Sequence, residues 1–306
     1  MSKKPSNKYR QPMEPWPGLA GYRQSAIIQE NNLEIFYYES GKANQPIIIL
    51  IHGLGDEADT WRHVFLPLSE KYHTIALDLP GFGRSAQPDR NYSPKFFVES
   101  ILGLMDHLNI QKAILMGNSL GGMLSHEIAI KNPARVQGLI LVSGTLLHHE
   151  PPGDWRFRLM QLPFLGEWLY NRLRKDPDAA YDSLRSFYDN LEKLPKSDRD
   201  FLFQRVNKRV WSDKQRRAYF SSLRNMTSWI KMLQANLPGK LASLETLTLI
   251  IRGEHDLLFS ENNALGVKEV QPNAEMETIN NVGHLPHQEE PSKFVDIVLT
   301  WLNRRF

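Results

Sequence analysis

The segment Ala113-Ile114-Leu115-Met116-Gly117-Asn118-Ser119-Leu120-Gly121-Gly122 joins a short apolar run to a helix-like stretch through Gly-x-Ser-x-Gly. A serine on a sharp strand-to-helix turn projects its hydroxyl, and glycines on either side relieve the crowding of that turn. The helix begins beside the hydroxyl, so its first free N–H groups can stabilise a developing oxyanion. Serine is a poor nucleophile until a base takes its proton, which a neutral imidazole does near neutral pH. Two downstream segments supply candidates: Gly253-Glu254-His255-Asp256 and Asn281-Val282-Gly283-His284-Leu285-Pro286. Asp256 can fix the tautomer of His284 and stabilise its imidazolium. Upstream, Ile47–Ile51 runs into His52-Gly53-Leu54-Gly55-Asp56. That permissive backbone can aim the Leu54 N–H, with the Leu120 N–H, at a reacting carbonyl. Ser119, Asp256 and His284 are thus the expected catalytic set, with Leu54 and Leu120 as the oxyanion hole.

Competing residues have blander readings. His52 is expected to order its loop by hydrogen bonding. His255 directly precedes the proposed acid, and sequence neighbours seldom face each other productively. His287 reads as structural at the start of a helix. Glu254 could replace Asp256, and Glu150, after an earlier strand, is a further rival. Asp78 opens Asp-x-Pro-Gly-x-Gly-x-Ser, where a carboxylate can satisfy loop donors.

These residues need a scaffold. Ile47–Ile51 is a continuous β-branched run that suits a strand buried on both faces. Strands are also expected at Ala26–Gln29, Leu33–Tyr38, Thr74–Leu77, Ala113–Met116, Gly138–Val142, Leu247–Ile251 and Met276–Ile279. Helices are expected at Thr60–Lys71, Pro94–Leu108, Leu120–Lys131, Glu261–Val270 and from Ser292 to about Arg304. The alternation predicts an α/β sheet with right-handed crossovers. It breaks between residues 146 and 237, an aromatic-rich and helix-like insertion. Residues 1–24, punctuated by Pro5, Pro12, Pro15 and Pro17, read as an irregular or partly disordered polar arm.

Composition narrows the chemistry. Of 306 residues 41% are hydrophobic, enough for a sizeable core. There are no cysteines, which excludes disulfide scaffolds, Cys-ligated zinc, iron–sulfur clusters and thiol nucleophiles. A net charge of +3 is too small an excess to argue for nucleic acid. No apolar run is long enough for a spanning helix, and no apolar stretch follows the basic N-terminus as in a secretory signal. A cytoplasmic protein acting on a small, partly apolar molecule is expected, with no cofactor and no metal. Asp154 to Lys231 carries 17 Lys/Arg against 10 Asp/Glu. That excess reads as the wet faces of helices ahead of a surface for an anionic substrate.

With His52-Gly53, Asp78–Ser85, Gly117–Gly122, Gly253–Asp256 and Gly283-His284 in this order, the chain resembles the α/β-hydrolase superfamily. The Ser…Asp…His order is that superfamily's. The resemblance implies a mostly parallel eight-stranded sheet, its second strand antiparallel, with helices on both faces and an inserted helical cap. Residues 25–145 and 238–306 would form the core domain and 146–237 the cap. Serine as nucleophile disfavours the epoxide hydrolases and haloalkane dehalogenases of the superfamily, which use aspartate. Asn118 before the serine is similar to meta-cleavage carbon–carbon bond hydrolases, where Asn resembles a substrate-positioning residue. Those enzymes usually carry an aromatic residue after the catalytic histidine, where this chain has Leu285. Hydrolysis of a carboxylic ester or thioester therefore ranks first. Cleavage of a vinylogous diketone ranks second, and a receptor-like relative without turnover is the remaining alternative. Asn118, Trp155 and Trp168 are the expected substrate contacts, with Phe157, Trp211 and Trp229 as further cap aromatics.

Overall fold

The computed structural model describes residues 7–29, 32–147, 159–233 and 236–306. Eight strands form one sheet: β1 (Arg23–Ile28), β2 (Leu33–Ser40), β3 (Ile47–Ile51), β4 (His73–Leu77), β5 (Ala113–Asn118), β6 (Val136–Val142), β7 (Thr248–Gly253) and β8 (Ala274–Ile279). Their order is β1-β2-β4-β3-β5-β6-β7-β8. β2 is antiparallel to both neighbours, and β4, β3, β5, β6, β7 and β8 are mutually parallel. This is the mostly parallel eight-stranded sheet that the resemblance implies.

Period-two alternation explains why both faces are apolar. Ile49 and Ile51 of β3 enter one core layer with Leu115 and Leu141, and Ile48 and Leu50 enter the other with Met116 and Val142. The first layer packs under α2 (Pro94–His107), α3 (Leu120–Lys131) and α9 (Glu261–Val270). The second packs under α1 (Phe65–Ser69) and α11 (Pro291–Arg305). Ser93 and Ser260 cap α2 and α9 by accepting the Phe96 and Asn263 N–H groups. Between β6 and β7 lie α4 (Leu165–Leu173), α5 (Pro177–Asp182), α6 (Lys196–Trp211), α7 (Asp213–Leu233) and α8 (Leu237–Ala242). A one-turn helix, α10 (Pro286–Glu289), precedes α11. No helix among the described residues is long and apolar enough to cross a membrane.

One expectation changes. The helix expected over Thr60–Lys71 is a 3-10 turn, Ala58–Trp61, followed by the short α1. A continuous helix would put Pro67 in its interior, where it lacks a donor and clashes with the preceding turn. Parts of the N-terminal arm pack against the rest of the chain. Tyr9, Met13 and Leu19 are buried, the Trp16 N–H donates to Asp59 at 2.7 Å, and the Trp16 ring meets Phe201 edge-on at 4.9 Å.

A buried ionic network joins α6 to the loop after β3. Arg209 is bidentate on Glu57 (2.7 and 2.9 Å) and also bonds Asp56. Arg205 meets Asp59 at 2.9 Å and Glu57 at 3.4 Å. Arg84 joins Asp59 (2.7 Å) to Asp78 (2.8 Å), and Arg62 meets Asp198 at 2.6 Å. Arg205 and Arg209 therefore turn inward onto acids of the sheet domain, a different fate from the wet helix faces expected of this basic segment. Burial pushes the Glu57 carboxyl up, but Arg209 and Arg205 more than offset this and hold it at about 2.

A pKa below the ordinary 4.5 means that Glu57 contributes its full stability above about pH 4.5 and loses it as pH falls toward 2. Glu57→Gln removes the acid shared by two buried guanidiniums and leaves Arg209 with Asp56 and Arg205 with Asp59, so we expect a loss of about 3 kcal/mol at pH 7. The difference from wild type should narrow as pH drops from about 4.5 toward 2. Urea unfolding of both proteins across that range checks it; a constant difference would refute the assignment.

Candidate active site

Ser119 lies between the last residue of β5 and the first of α3 with φ 51° and ψ −115°, in a region L-residues rarely visit. Its N–H donates to the Val142 carbonyl at 2.8 Å. The turn closes because its neighbours lack side chains. A Cβ on Gly117 would fall 2.2 Å from the Gly121 carbonyl carbon, and one on Gly121 would fall 2.2 Å from the Ile51 carbonyl oxygen. The Leu120 N–H belongs to the first turn of α3, which has no intrahelical acceptor. Leu54 and Ser119 line the same cavity.

His284 Nδ1–H donates to the Asp256 carboxylate, 2.9 Å from each oxygen. Asp256 Oδ1 also accepts the Leu258 and Phe259 N–H groups at 2.8 and 3.0 Å, so the acid is anchored before the imidazole meets it. The bond at Nδ1 leaves Nε2 as the ring's free acceptor. The His284 main chain is held on both sides: its N–H donates to Phe187 O at 2.9 Å, and its carbonyl accepts from Asn118 Nδ2 at 3.3 Å. Asn118 Nδ2 also reaches Val142 O at 3.2 Å.

The rival residues lie elsewhere. His52 is fully buried, with Nδ1–H donating to Gly53 O at 2.7 Å and Nε2 accepting the Leu79 N–H at 2.8 Å. Burial lowers its pKa, and neither nitrogen is free for substrate. His255 pairs with Asp189, and Glu254 accepts the Asn281 N–H. His287 bonds Thr60 and lies against the Trp61 ring at 4.3 Å. Asp78 accepts the Ala58 and Arg84 N–H groups at 2.7 Å each, as loop-ordering requires. Glu150, Trp155 and Phe157 lie outside the described residues.

Ser119 and His284 open into a cavity of about 790 Å³ whose walls come from the sheet loops and from α4, α6 and α7. Most of the lining is apolar, as ligand pockets generally are. Trp168 is not in the lining. It is 54% exposed on α4, stacked under Arg172, because its helix turns Leu169, Tyr170 and Leu173 inward instead. Trp211 and Trp229 are also absent from the wall, which is built with Tyr170, Phe187, Tyr188, Tyr219 and Phe259.

A family profile described as alpha/beta hydrolase fold matches residues 46–291. The chain belongs to this family. Among curated relatives, the 2-hydroxy-6-oxononadienedioate/2-hydroxy-6-oxononatrienedioate hydrolase 2 of Pseudomonas putida is 26% identical over 297 residues, covering 89% of this chain and 93% of that one. A Haemophilus influenzae protein named as a candidate esterase/lipase is 26% identical over 284 residues, covering 88% and 87%. Among solved structures, a meta-cleavage product hydrolase from Pseudomonas fluorescens IP01 superposes with TM-score 0.76 at 23% identity, covering 92% of this chain and 97% of that one.

In this α/β-hydrolase the segment after α5 is strapped to the His284 loop, a feature no local motif announced. Glu289 accepts the Gly283 N–H with one oxygen and the Asp189 N–H with the other, both at 2.8 Å. Tyr188 Oη–H donates to Gln288 Oε1 at 2.8 Å. The only sequence signal was an acid five positions after His284, indistinguishable from an ordinary acid of a helix turn.

Burial raises the Glu289 carboxyl to about 7, against the pull of its backbone donors. A carboxyl raised above its ordinary 4.5 makes the native state bind the extra proton, so its contribution to stability falls as pH rises from about 4.5 to about 7, then levels. Glu289→Gln should flatten that part of the profile. Melting temperatures at half-unit pH steps compare the two; parallel profiles would contradict the assignment.

Proposed function

We propose that this α/β-hydrolase is a serine hydrolase that cleaves a carboxylic ester or thioester through an acyl-enzyme, with residues 146–237 as a cap that selects the substrate. One observation carries the reading. The strained Ser119 and the Asp256-bound His284 open into one apolar cavity, half of it built by the inserted helices.

His284 Nε2 takes the Ser119 hydroxyl proton as Oγ attacks the carbonyl carbon, and Asp256 stabilises the resulting imidazolium. The Leu54 and Leu120 N–H groups receive the oxyanion of the tetrahedral intermediate. His284 then gives its proton to the departing alkoxide or thiolate, leaving the acyl group on Ser119. Water, deprotonated by the same imidazole, attacks the acyl carbon, and collapse of the second intermediate returns the Ser119 hydroxyl and releases the acid. Asn118 contributes by holding the His284 and Val142 carbonyls, which orients the base against the elbow.

Carbon–carbon hydrolysis of a vinylogous diketone is the second reading, favoured by Asn118 and by the names of the two meta-cleavage relatives. Turnover separates the readings: simple aryl esters should be hydrolysed far faster than a meta-cleavage dienoate. Ser119→Ala should lower ester hydrolysis at least about 10³-fold with an unchanged circular dichroism spectrum, because members of such a set act as a unit. Retention of a tenth of the activity would remove Ser119 as nucleophile. Fluorophosphonate labelling of Ser119 without turnover on a broad acyl panel would favour a receptor-like protein.

The cavity wall predicts the direction of a size effect. The Tyr170 and Tyr219 rings meet within the lining at 5.8 Å between centroids, tilted by 32°. Tyr219→Ala should raise the preference for longer or branched esters relative to acetate by about tenfold, since removing a ring deletes apolar wall and opens volume. An unchanged ratio across a chain-length series of p-nitrophenyl esters would place Tyr219 away from the substrate.

A further inference from the structure

An arginine facing an apolar cavity beside a nucleophile is a natural receptor for a carboxylate, because its planar fork binds one bidentately. Arg209 holds that position in the cavity wall, but its Nε–Nη2 edge is already filled. Nε and Nη2 clasp Glu57 at 2.9 and 2.7 Å, and Nη2 also bonds Asp56. Behind them, Arg205 and Arg84 are matched to Glu57, Asp59 and Asp78. The cluster of Asp56, Glu57, Asp59 and Asp78 with Arg84, Arg205 and Arg209 carries four carboxylates against three guanidiniums. The cluster as a whole is therefore not cationic.

The two acids on Arg209 differ in position. Glu57 is buried, with its side chain 1% exposed, and does not line the cavity; Asp56 lines it, with its side chain 18% exposed. An anionic group on the substrate would have to approach Arg209 past Asp56, adding a third negative charge around one guanidinium in a poorly hydrated space. Like charges at such separations repel strongly when water is excluded. The remaining cationic side chain of the described lining, Lys231, is exposed near the C-terminal end of α7.

We propose that Asp56 is a specificity-determining residue: by masking Arg209 it restricts the cavity to uncharged acyl or alcohol groups and turns away substrates with a carboxylate on that side. This rests on the ester reading above. It also predicts poor acceptance of dicarboxylate substrates such as the dioate in the name of the Pseudomonas putida relative.

Two pairs of esters test both sides of the scissile bond: p-nitrophenyl hexanoate against mono-p-nitrophenyl adipate, and phenyl acetate against 4-carboxyphenyl acetate. In the wild type the anionic member of at least one pair should have a kcat/KM at least tenfold below its neutral partner. Asp56→Asn should shrink that gap at least tenfold, and Asp56→Glu should restore it. A wild type that prefers the anionic member of either pair overturns the proposal, as does a folded Asp56→Asn protein with the wild-type gap. Should Asp56→Asn not fold, the wild-type ratios decide. If no ester is turned over, the ester reading falls by itself. Protection of Ser119 from a fluorophosphonate probe then decides the masking: hexanol protecting better than hexanoate supports it, and the reverse overturns it.

Discussion

The close approach of β5, α3 and the loop after β3 is the constraint on which the rest depends. Ser119 keeps positive φ only because the surrounding structure over-determines it: its N–H is tied to β6, and Gly121 lies against the Ile51 carbonyl. Such a conformation costs about 1–3 kcal/mol, supplied by the packed sheet on either side. The close fit also brings the end of β3 beside the first turn of α3. A Cβ on Gly53 would lie 3.3 Å from the Ser119 Cβ. Any side chain at Gly117 or Gly121 would push these segments apart.

A second physical feature is the way the inserted helices are held. Apolar contact alone would let a helical block slide over the strand ends. Here α6 is pinned by guanidinium–carboxylate pairs that are directional and, once buried, expensive to break singly. A separate strap runs from Phe187 to Asp189, bonded to the His284 main chain and to Glu289. The inserted segment therefore acts on the site in two ways, by walling the cavity and by fixing the loop that carries His284. A change in the strap should reach His284 through the backbone, with no contact to substrate.

The two features share a logic of charge. On the reading proposed above, charge near Ser119 would appear only transiently and would be met by neutral or dipolar groups: backbone N–H groups and an imidazole whose partner acid is already anchored. Along the loop after β3, charges are permanent and paired with one another. The cavity between them is mostly apolar, and of the second set only Asp56 and Arg209 reach its wall.

Much of this was legible in the residues. The β-branched run of Ile47–Ile51 and the Gly-x-Ser-x-Gly turn announce themselves because strand burial and turn sterics are local, and α3 and α9 have the boundaries that periodicity predicts. The pairing of Asp256 with His284 followed from chain order, and so did the resemblance that implied the sheet. What depends on side-chain direction was not legible. Trp168 was expected inside, yet a helix presents either face to a cavity depending on how it is docked, and α4 turns Tyr170 inward. The basic excess of residues 154–231 was expected at the wet surface, because composition cannot show that the matching acids, Asp56, Glu57 and Asp59, lie about 150 positions earlier in the chain. Sequence by itself determined most of the elements and which residues stand at their ends, since both arise from neighbours along the backbone. The tertiary structure alone decided the walls of the cavity and the partners of its charges, since these are contacts between segments that meet only when the helices dock on the sheet.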